Sequence, residues 1–294
     1  MDVAVVGAGR VGTTLAVLLQ RAGHRIVGVS GRDATPERAA RYLPGVPFAS
    51  AQEVASEGEL VLISVPDVAI ERVSRDLSTA GAFREGQTVA HTSGARPRDE
   101  LHVDPEIPTL VLHPLQTFPD IEFALRHVPG SALAVTSRDD EGYDVGRRIA
   151  TDLGMRAFRL SDRERAVYHA AAVFASNYVV TVLAAAERLF RLAGVDDPVR
   201  LFLPLTRAAV DAVEEFGPGA ALTGPVVRGD AATIDSHLGN LVRSGLADLY
   251  RSLAVGTLEL ADHTGRLALE TRAVVREKLE WWRAVLDEES DRWR

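Results

Sequence analysis

The stretch Gly7-Ala8-Gly9-Arg10-Val11-Gly12 decides how the first half of this 294-residue chain folds. It has the spacing Gly-x-Gly-x-x-Gly, and it stands between an apolar strand pattern at residues 2–7 and a helical pattern at residues 11–22. In that position the first glycine permits a tight turn, the second lets a pyrophosphate approach the backbone, and the third lets helix and strand pack closely. The amides at the start of the helix attract phosphate as well. The stretch therefore predicts a dinucleotide-binding turn, with a glycine-rich turn that binds nothing as the alternative.

Outward from this turn, strand and helix patterns alternate as far as residue 160. Strand patterns cover residues 25–30, 60–65, 87–92, 109–113, 131–136 and 156–160, and helical patterns cover residues 36–42, 68–77 and 141–153. Such an alternation is typical of a doubly wound parallel sheet, and the uninterrupted apolar run at residues 60–65 predicts a central strand. We therefore expect an α/β fold that begins with a parallel Rossmann sheet over residues 1–160.

Only helical patterns follow residue 160. Ser161-Asp162-Arg163-Glu164 has the spacing of a capping box, and the helix that it opens is expected to reach residue 193. Residues 166–186 carry no Asp, Glu, Lys or Arg, which would allow a membrane span, but a helix that is apolar on every side is also typical of a core position. We predict a buried helix here, followed by helices at residues 198–216, 231–243, 246–264 and 267–289. Residues 161–294 are thus expected to form an all-α domain.

Composition argues against several classes of protein. The chain has no cysteine, so disulfides and thiolate metal sites are excluded, and its net charge of -8 argues against nucleic-acid binding. Its eight histidines show no recognisable metal-ligand spacing, so a metal hydrolase is a weaker alternative and no metal site is predicted. The first residues lack a basic segment followed by an apolar run, so we expect a cytoplasmic protein without a membrane anchor.

The end of the second predicted strand bears on the choice of dinucleotide. An NAD site is expected to place a carboxylate there, whereas this chain has Ser30, followed by Arg32. A guanidinium can hold a 2′-phosphate through two hydrogen bonds. Asp33 is the counter-argument, but it falls beyond the usual position and is suited to cap the next helix. These residues favour NADP(H), with Val65 and Pro66 after the central strand as further cofactor contacts.

Polar side chains at two further strand ends and on the long helix are candidates for a substrate site. His91-Thr92-Ser93-Gly94 and His113-Pro114-Leu115-Gln116-Thr117 follow strands whose ends meet at one edge of such a sheet. His169 and Ser176 are seven residues apart and share a helix face, with Asn177 beside it. Arg228 follows a Gly-Pro break and is suited to clamp an anion, while Asp230 is suited to cap the next helix. For each histidine a satisfied core position is the alternative.

Together these motifs resemble one family. They are Gly7–Gly12, His91-Thr92-Ser93-Gly94, residues 113–118, Tyr168-His169-Ala170-Ala171-Ala172 with Ser176-Asn177, and Leu222-Thr223-Gly224-Pro225 with Arg228-Gly229-Asp230. The chain is similar to bacterial Rossmann-like proteins whose C-terminal helical half is a domain of unknown function. Their layout resembles that of ketopantoate reductases, pyrroline-carboxylate reductases and β-hydroxyacid dehydrogenases. The resemblance implies NADP-dependent reduction of a small anionic substrate and a homodimer formed through the helical domain.

One departure from the related families concerns the proton donor. Ketopantoate reductases and β-hydroxyacid dehydrogenases use a lysine on the first long helix, but the only lysine of this chain is Lys278, and Val173 stands four residues before Asn177. A histidine is therefore expected to be the acid, because its ordinary pKa lies near working pH.

The sequence thus predicts an NADPH-dependent oxidoreductase that transfers a hydride to a C=O or C=N group of a small carboxylate such as ketopantoate. The expected catalytic residues are His169, His113, Asn177 and Ser93, and the expected substrate contacts are Arg228, Thr92 and Gln116. The alternative is an NADP(H)-binding sensor or scaffold that does not catalyse a reaction.

Overall fold

The computed structural model describes residues 1–32 and 34–291, so Asp33 and its expected cap lie outside the described residues. The chain divides into two compact units, Met1–Tyr178 and Val179–Arg294.

A seven-stranded sheet forms the centre of the first unit. Its strands are β1 (Asp2–Val6), β2 (Arg25–Ser30), β3 (Leu60–Ile63), β4 (Thr88–His91), β5 (Thr109–Leu115), β6 (Ala132–Thr136) and β7 (Arg156–Arg159). Their order across the sheet is β2-β1-β3-β4-β5-β6-β7. All four residues of β3 are buried between β1 and β4, which confirms the central strand that the apolar run predicts.

The expectation of a fully parallel sheet is wrong at one pair of strands. β5 and β6 are antiparallel, and Leu115 at the end of β5 lies beside Ala132 at the start of β6. The connection between them contains a short helix, α5 (Ile121–His127), which the sequence analysis missed although Asp120 caps it by accepting a hydrogen bond from the Phe123 amide. Because the chain re-enters the sheet beside the point where it left, β6 runs in the opposite direction.

Helices cover both faces of this sheet. They are α1 (Arg10–Arg21), α2 (Thr35–Tyr42), α3 (Ala51–Glu57), α4 (Ile70–Thr79), the short α5 and α6 (Asp140–Asp152). Along β1, Val3 and Val5 pack into one core with residues of α1, whereas Ala4 and Val6 pack into a second core with residues of α3 and α4. Successive side chains of a strand point to opposite faces, so the sheet is covered on both sides as a doubly wound fold requires.

The first unit extends past residue 160, where the sequence analysis placed the domain boundary. The helix α7 (Arg165–Ala175) belongs to it, because the Arg165 guanidinium is buried and donates hydrogen bonds to the carbonyl oxygens of Ser93 and Gly94. The expected capping box is not formed: the Ser161 hydroxyl donates to the Glu164 carboxylate instead of bonding to a backbone amide.

Helices alone make up the described part of the second unit. They are most of α8 (Asn177–Leu192), then α9 (Pro198–Ala221), α10 (Pro225–Arg228), α11 (Ala231–Leu241), α12 (Ala247–His263) and α13 (Leu269–Asp291). Gly217, with a φ of 78°, and Pro218 interrupt α9 where the sequence predicts its end. Residues of α11, α12 and α13, among them Leu238, Leu258 and Trp282, form the core of this unit.

The prediction of one long buried helix after residue 160 is wrong in two respects. Ser176, with φ −130° and ψ −71°, breaks the helix into α7 and α8. α8 contributes no buried residue, and the most apolar part of Asp162–Leu192 is 0% buried, although it is long and apolar enough to cross a membrane by length and composition. Apolar composition alone does not distinguish a core position from a face that another molecule covers.

Candidate functional site

The glycine turn follows β1 and opens α1. The amides of Gly7 and Ala8 both donate to the carbonyl oxygen of Ser30, over 3.0 and 2.8 Å, which ties the turn to the end of β2. Gly7 has a φ of 93°, and a Cβ there would lie 2.7 Å from Cγ1 of Val65, so this turn requires glycine.

The other two glycines of the motif have different surroundings. A Cβ on Gly12 would lie 2.7 Å from the Gly7 carbonyl oxygen, so Gly12 permits the helix to pack against the turn. A Cβ on Gly9 would have no described atom within 4 Å, and Gly9, as N-cap of α1, has no side chain to bond the first amides of the helix. The backbone at Gly9 is therefore open to a ligand, as the motif predicts.

A cavity of about 660 Å³ extends from this turn across the carboxyl ends of the strands. It lies within the first unit. Of the residues that the sequence analysis proposed for the site, it is lined by Gly7, Gly9, Arg10, Val11, Arg32, Val65, Pro66, Thr92, Ser93, His113 and His169. The structure therefore brings the predicted cofactor turn and two predicted strand ends into one cavity.

Three arginines line the cavity near the turn. Arg10 and Arg32 are exposed, and Arg38 donates from its guanidinium to the carbonyl oxygen of Ala8 over 2.8 Å. Ser30 is buried, and its carbonyl oxygen holds the turn, while the residue lines a neighbouring cavity of about 500 Å³ with Phe48. This end of the site can thus attract anionic groups.

The loop after β4 is held by a buried histidine. His91 is 0% exposed, its Nε2 donates to the Pro97 carbonyl oxygen over 3.1 Å, and its Nδ1 accepts from the Ser93 amide. Burial lowers the pKa of His91 to about 4, so the ring is neutral at pH 7. His91 is therefore a core histidine whose hydrogen bonds are satisfied, which is the alternative given for it above. Its side chain fixes the loop that carries Thr92 and Ser93.

Thr92 and Ser93 reach the cavity wall with their hydroxyl groups already engaged. Thr92 donates to the Ser64 hydroxyl over 3.2 Å. Ser93 Oγ accepts from the amides of Ala95 and Arg96. Both side chains help to shape the loop as well as lining the cavity.

A buried arginine supports this loop from the far side. The Arg165 side chain is 2% exposed, and besides the carbonyl oxygens of Ser93 and Gly94 its guanidinium contacts the Thr136 hydroxyl and, over 3.3 Å, the Asp162 carboxylate. Such a guanidinium must be fully paired to be tolerated in a protein interior. Arg165 is not among the residues that the sequence predicts for the site, and its only signal there is its place immediately before the uncharged run at residues 166–186.

Two histidines, His113 and His169, converge in the wall of the same cavity. A Cβ on Gly94 would lie 2.5 Å from His169 Nδ1 and 2.7 Å from His113 Nε2, so only glycine leaves room for both rings. The ring centroids are 5.9 Å apart. His113 Nδ1 lies 2.7 Å from the Tyr168 hydroxyl, while His169 Nδ1 is buried without a hydrogen-bond partner among the described residues.

The expectation of a histidine pKa near working pH is wrong for His113. Burial lowers its pKa to about 4, and the nearby His169 and Arg165 act in the same direction. His113 is therefore a neutral imidazole at pH 7 and can present one N–H and one bare nitrogen.

Some predicted site residues do not line this cavity. Asn177 is exposed at the start of α8, because the break at Ser176 ends the continuous helix on which its expected position rested. Gln116 donates to the His127 carbonyl oxygen and accepts from the Thr117 amide.

Arg228 belongs to the second unit, at the end of α10. Within that unit Asp230 caps α11, as predicted, by accepting from the Thr233 amide.

Both halves of the chain match families of known sequence. Residues 1–113 match the family described as Rossmann-like domain, and residues 131–257 match the family described as Domain of unknown function (DUF2520). The second match begins just before β6, so it includes the end of the sheet as well as the following helices.

Solved structures resemble this chain over most of its length. A candidate NADP oxidoreductase from Bacteroides fragilis is 27% identical with a TM-score of 0.74, over 87% of this chain and 97% of that one. A 1-pyrroline-5-carboxylate reductase from Streptococcus pyogenes is 18% identical with a TM-score of 0.61, over 89% and 98%, and this likeness shows the fold.

A curated relative matches over a shorter stretch. The glycerol-3-phosphate dehydrogenase [NAD(P)+] of Pseudoalteromonas translucida is 35% identical over 109 residues, which is 32% of this chain and 32% of that protein's length. Taken with the seven-stranded sheet and its glycine turn, these findings identify the chain as a Rossmann-like N-terminal domain joined to a DUF2520 C-terminal domain.

Proposed function

We propose that this protein is an NADPH-dependent oxidoreductase that reduces a C=O or C=N group of a small carboxylate substrate. The proposal rests on one observation. The same cavity is lined by the open backbone at Gly9, by three arginines and by the adjacent rings of His113 and His169. Dinucleotides bind at this edge of a doubly wound sheet, so a nucleotide at the turn has its reactive end directed along the strand ends. The similarity to a candidate NADP oxidoreductase agrees with this proposal.

The residues of the turn fit a dinucleotide. The space that a Cβ on Gly9 would enter is empty, and the first amides of α1 are left without a side-chain cap, as a pyrophosphate requires. Arg32, after the end of β2, lines the cavity together with Arg10 and Arg38, whereas Ser30 lines the neighbouring cavity. This set of cations supports NADP(H) in preference to NAD(H), because a guanidinium matches the 2′-phosphate.

The other end of the cavity suits a small polar substrate. When bound, reduced nicotinamide would supply the hydride. The neutral imidazole of His113, with His169 beside it, can then orient a carbonyl or imine group through hydrogen bonds, with Thr92 and Phe118 as neighbouring walls. Orientation of the reacting group within a closed site is the main contribution that a protein makes to such a transfer.

Turnover of NADPH with a panel of small acids tests the proposed function. We expect purified protein to oxidise NADPH with at least one 2-keto acid (ketopantoate first), β-keto acid or cyclic imine, and absorbance at 340 nm measures the rate.

His113→Ala should lower kcat by about a hundredfold because proton transfer is lost. His263→Ala, which changes an exposed histidine of the second unit, should leave kcat unchanged. Tight NADPH binding without oxidation across the whole panel would contradict catalysis and support the sensor alternative.

We further propose that the second unit forms a homodimer through α8 and α9. Large apolar side chains on these helices are between 38% and 72% exposed: Val179, Val180, Val182, Leu192, Leu201, Leu205, Val210, Val213 and Phe216. Monomeric soluble proteins rarely expose apolar patches of more than several hundred Å². A second copy of the chain is an occupant that brings an equally apolar face.

Light scattering after size-exclusion chromatography tests the dimer. We expect a mass of two chains at about 10 μM for the wild type and a shift toward one chain for Leu205→Glu, because a charge in an apolar interface remains without a partner. Val68→Glu, at a side chain of the first unit that is 89% exposed, should leave the mass unchanged. A wild-type monomer, or protein recovered only with detergent or lipid, would contradict the proposal.

A further inference from the structure

We propose that Tyr168 is the source of the proton that His113 delivers to the substrate, an inference that rests on the proposed reductase function. Tyr168 is thus a positioning residue that acts through His113, and the pair performs the task for which this chain has no lysine on the corresponding helix. The two side chains belong to distant parts of the sequence, α7 and β5, and meet at one edge of the cavity.

The contact between Tyr168 and His113 is short, and neighbouring residues hold the Tyr168 ring in place. The Tyr168 hydroxyl lies 2.7 Å from His113 Nδ1, and the two rings meet edge to face with centroids 5.5 Å apart. The Phe158 ring also packs against the Tyr168 ring, with centroids 5.8 Å apart, and Arg165, one turn earlier on α7, is anchored to the loop after β4. The phenol is therefore held in place by the sheet.

The hydrogen bond between Tyr168 and His113 indicates which ring nitrogen of His113 carries its proton. His113 is neutral at pH 7 and carries one ring proton, and among the described residues its Nδ1 is the hydrogen-bond partner of the Tyr168 hydroxyl. If Nδ1 carried the proton, the half-buried hydroxyl hydrogen of Tyr168 would have no acceptor among the described residues. If Tyr168 donates to Nδ1, both groups are satisfied, and His113 bears its proton on Nε2, beside Gly94 in the cavity wall.

The proton steps balance without a charged histidine. As the substrate carbon receives the hydride, the electron pair of the C=O or C=N bond moves to oxygen or nitrogen. That atom takes the proton from Nε2 of His113, while Nδ1 takes the proton of Tyr168, so the imidazole stays neutral and a phenolate remains. The phenolate then takes back the proton from Nδ1 while Nε2 recovers a proton from solvent, which restores the starting tautomer.

The surroundings of Tyr168 keep the proton in place until it is required. Burial raises the pKa of Tyr168 to about 12, so it is protonated at pH 7, and the positive charge of Arg165 acts in the opposite direction and favours the transient phenolate. Burial disfavours an imidazolium at His113, and the nearby His169 and Arg165 act in the same direction. A relay that keeps His113 neutral is therefore the form of proton transfer that this environment favours.

Nitrogen-15 NMR of the histidine rings, in wild type and Tyr168→Phe, tests the relay. We expect wild-type His113 to be the Nε2–H tautomer at pH 7, and Tyr168→Phe to contain substantial Nδ1–H tautomer, because Phe keeps the ring contacts but removes the donor. The second unit supplies a matched control, since the Tyr250 hydroxyl lies 2.8 Å from His237 Nδ1 with rings 5.5 Å apart. Tyr250→Phe should alter His237 and leave His113 unchanged, and a wild-type Nδ1–H tautomer of His113 would overturn the relay.

Kinetics with a substrate found in the panel complete the test. Tyr168→Phe should lower kcat by about 10- to 100-fold, change KM by less than about twofold and increase the solvent isotope effect, as loss of a proton donor predicts. Tyr250→Phe should leave kcat unchanged. Turnover that Tyr168→Phe does not slow overturns the relay alone, whereas a wild type that fails on every substrate, with the Nε2–H tautomer intact, overturns the proposed function.

Discussion

Gly9→Asp is expected to raise the dissociation constant for NADPH by about a thousandfold without lowering the melting temperature. Two like charges about 4 Å apart at a protein surface repel by about 4 kcal/mol, which corresponds to that factor. The substitution fits the fold, because Gly9 has φ −76° and ψ −156°, no described atom lies within 4 Å of an added Cβ, and Asp is a favoured N-cap. Fluorescence titration with NADPH and thermal unfolding of the same sample measure both effects.

Two neighbouring variants show whether the effect arises at the ligand. Gly9→Ser adds a small uncharged cap and should weaken NADPH binding less than Gly9→Asp. Gly7→Ala should instead lower the melting temperature, because Gly7 has a φ of 93° and its Cβ would lie 2.7 Å from Val65 Cγ1. Equal NADPH affinity in wild type and Gly9→Asp would place the cofactor elsewhere.

Arg32→Ala is expected to weaken NADPH binding by about 10- to 100-fold and NADH binding by less than about twofold. Loss of a charged hydrogen bond to the 2′-phosphate costs about 1.5–3 kcal/mol, and NADH has no such phosphate. Arg32 lines the cavity at the end of β2 and is exposed, so its removal should not disturb the fold.

A second arginine variant controls for net charge. Arg21 is also exposed but ends α1 outside the cavity lining, so Arg21→Ala changes the charge of the chain equally and should leave both affinities unchanged. Isothermal titration with each cofactor compares the three proteins. Equal weakening of NADPH and NADH by Arg32→Ala would mean that Arg32 does not select the cofactor.

The parts of the fold that sequence analysis predicted correctly are those with strong local patterns. The spacing of Gly7, Gly9 and Gly12 identified the turn, and the apolar run at residues 60–65 identified the central strand β3. A turn and a buried strand depend on neighbouring residues, so their signals lie within a short window. α5 was missed and the direction of β6 was wrong, because strand direction depends on where the connecting chain re-enters the sheet.

The least predictable features were those that depend on which surface covers a side chain. Residues 166–186 have the composition of a core helix, yet α8 contributes no buried residue within its own chain. A similar limit applies to His91 and His113, which both follow the pattern of strand-end histidines. Both ring nitrogens of His91 are engaged in hydrogen bonds with Pro97 and Ser93, whereas His113 reaches the cavity with Nε2.

The doubly wound architecture, the place of the glycine turn and the arginine near it could be predicted from the sequence alone, because each depends on spacing along a few consecutive residues. The arrangement of the polar site, in contrast, arises only when the chain has folded. Tyr168 and His113 are 55 residues apart, and Arg165 and Ser93 are 72 residues apart, yet each pair is in hydrogen-bond contact. Such contacts arise from the packing of α7 against the ends of β4 and β5, and no local pattern of residues encodes the distance between two side chains that the fold brings together.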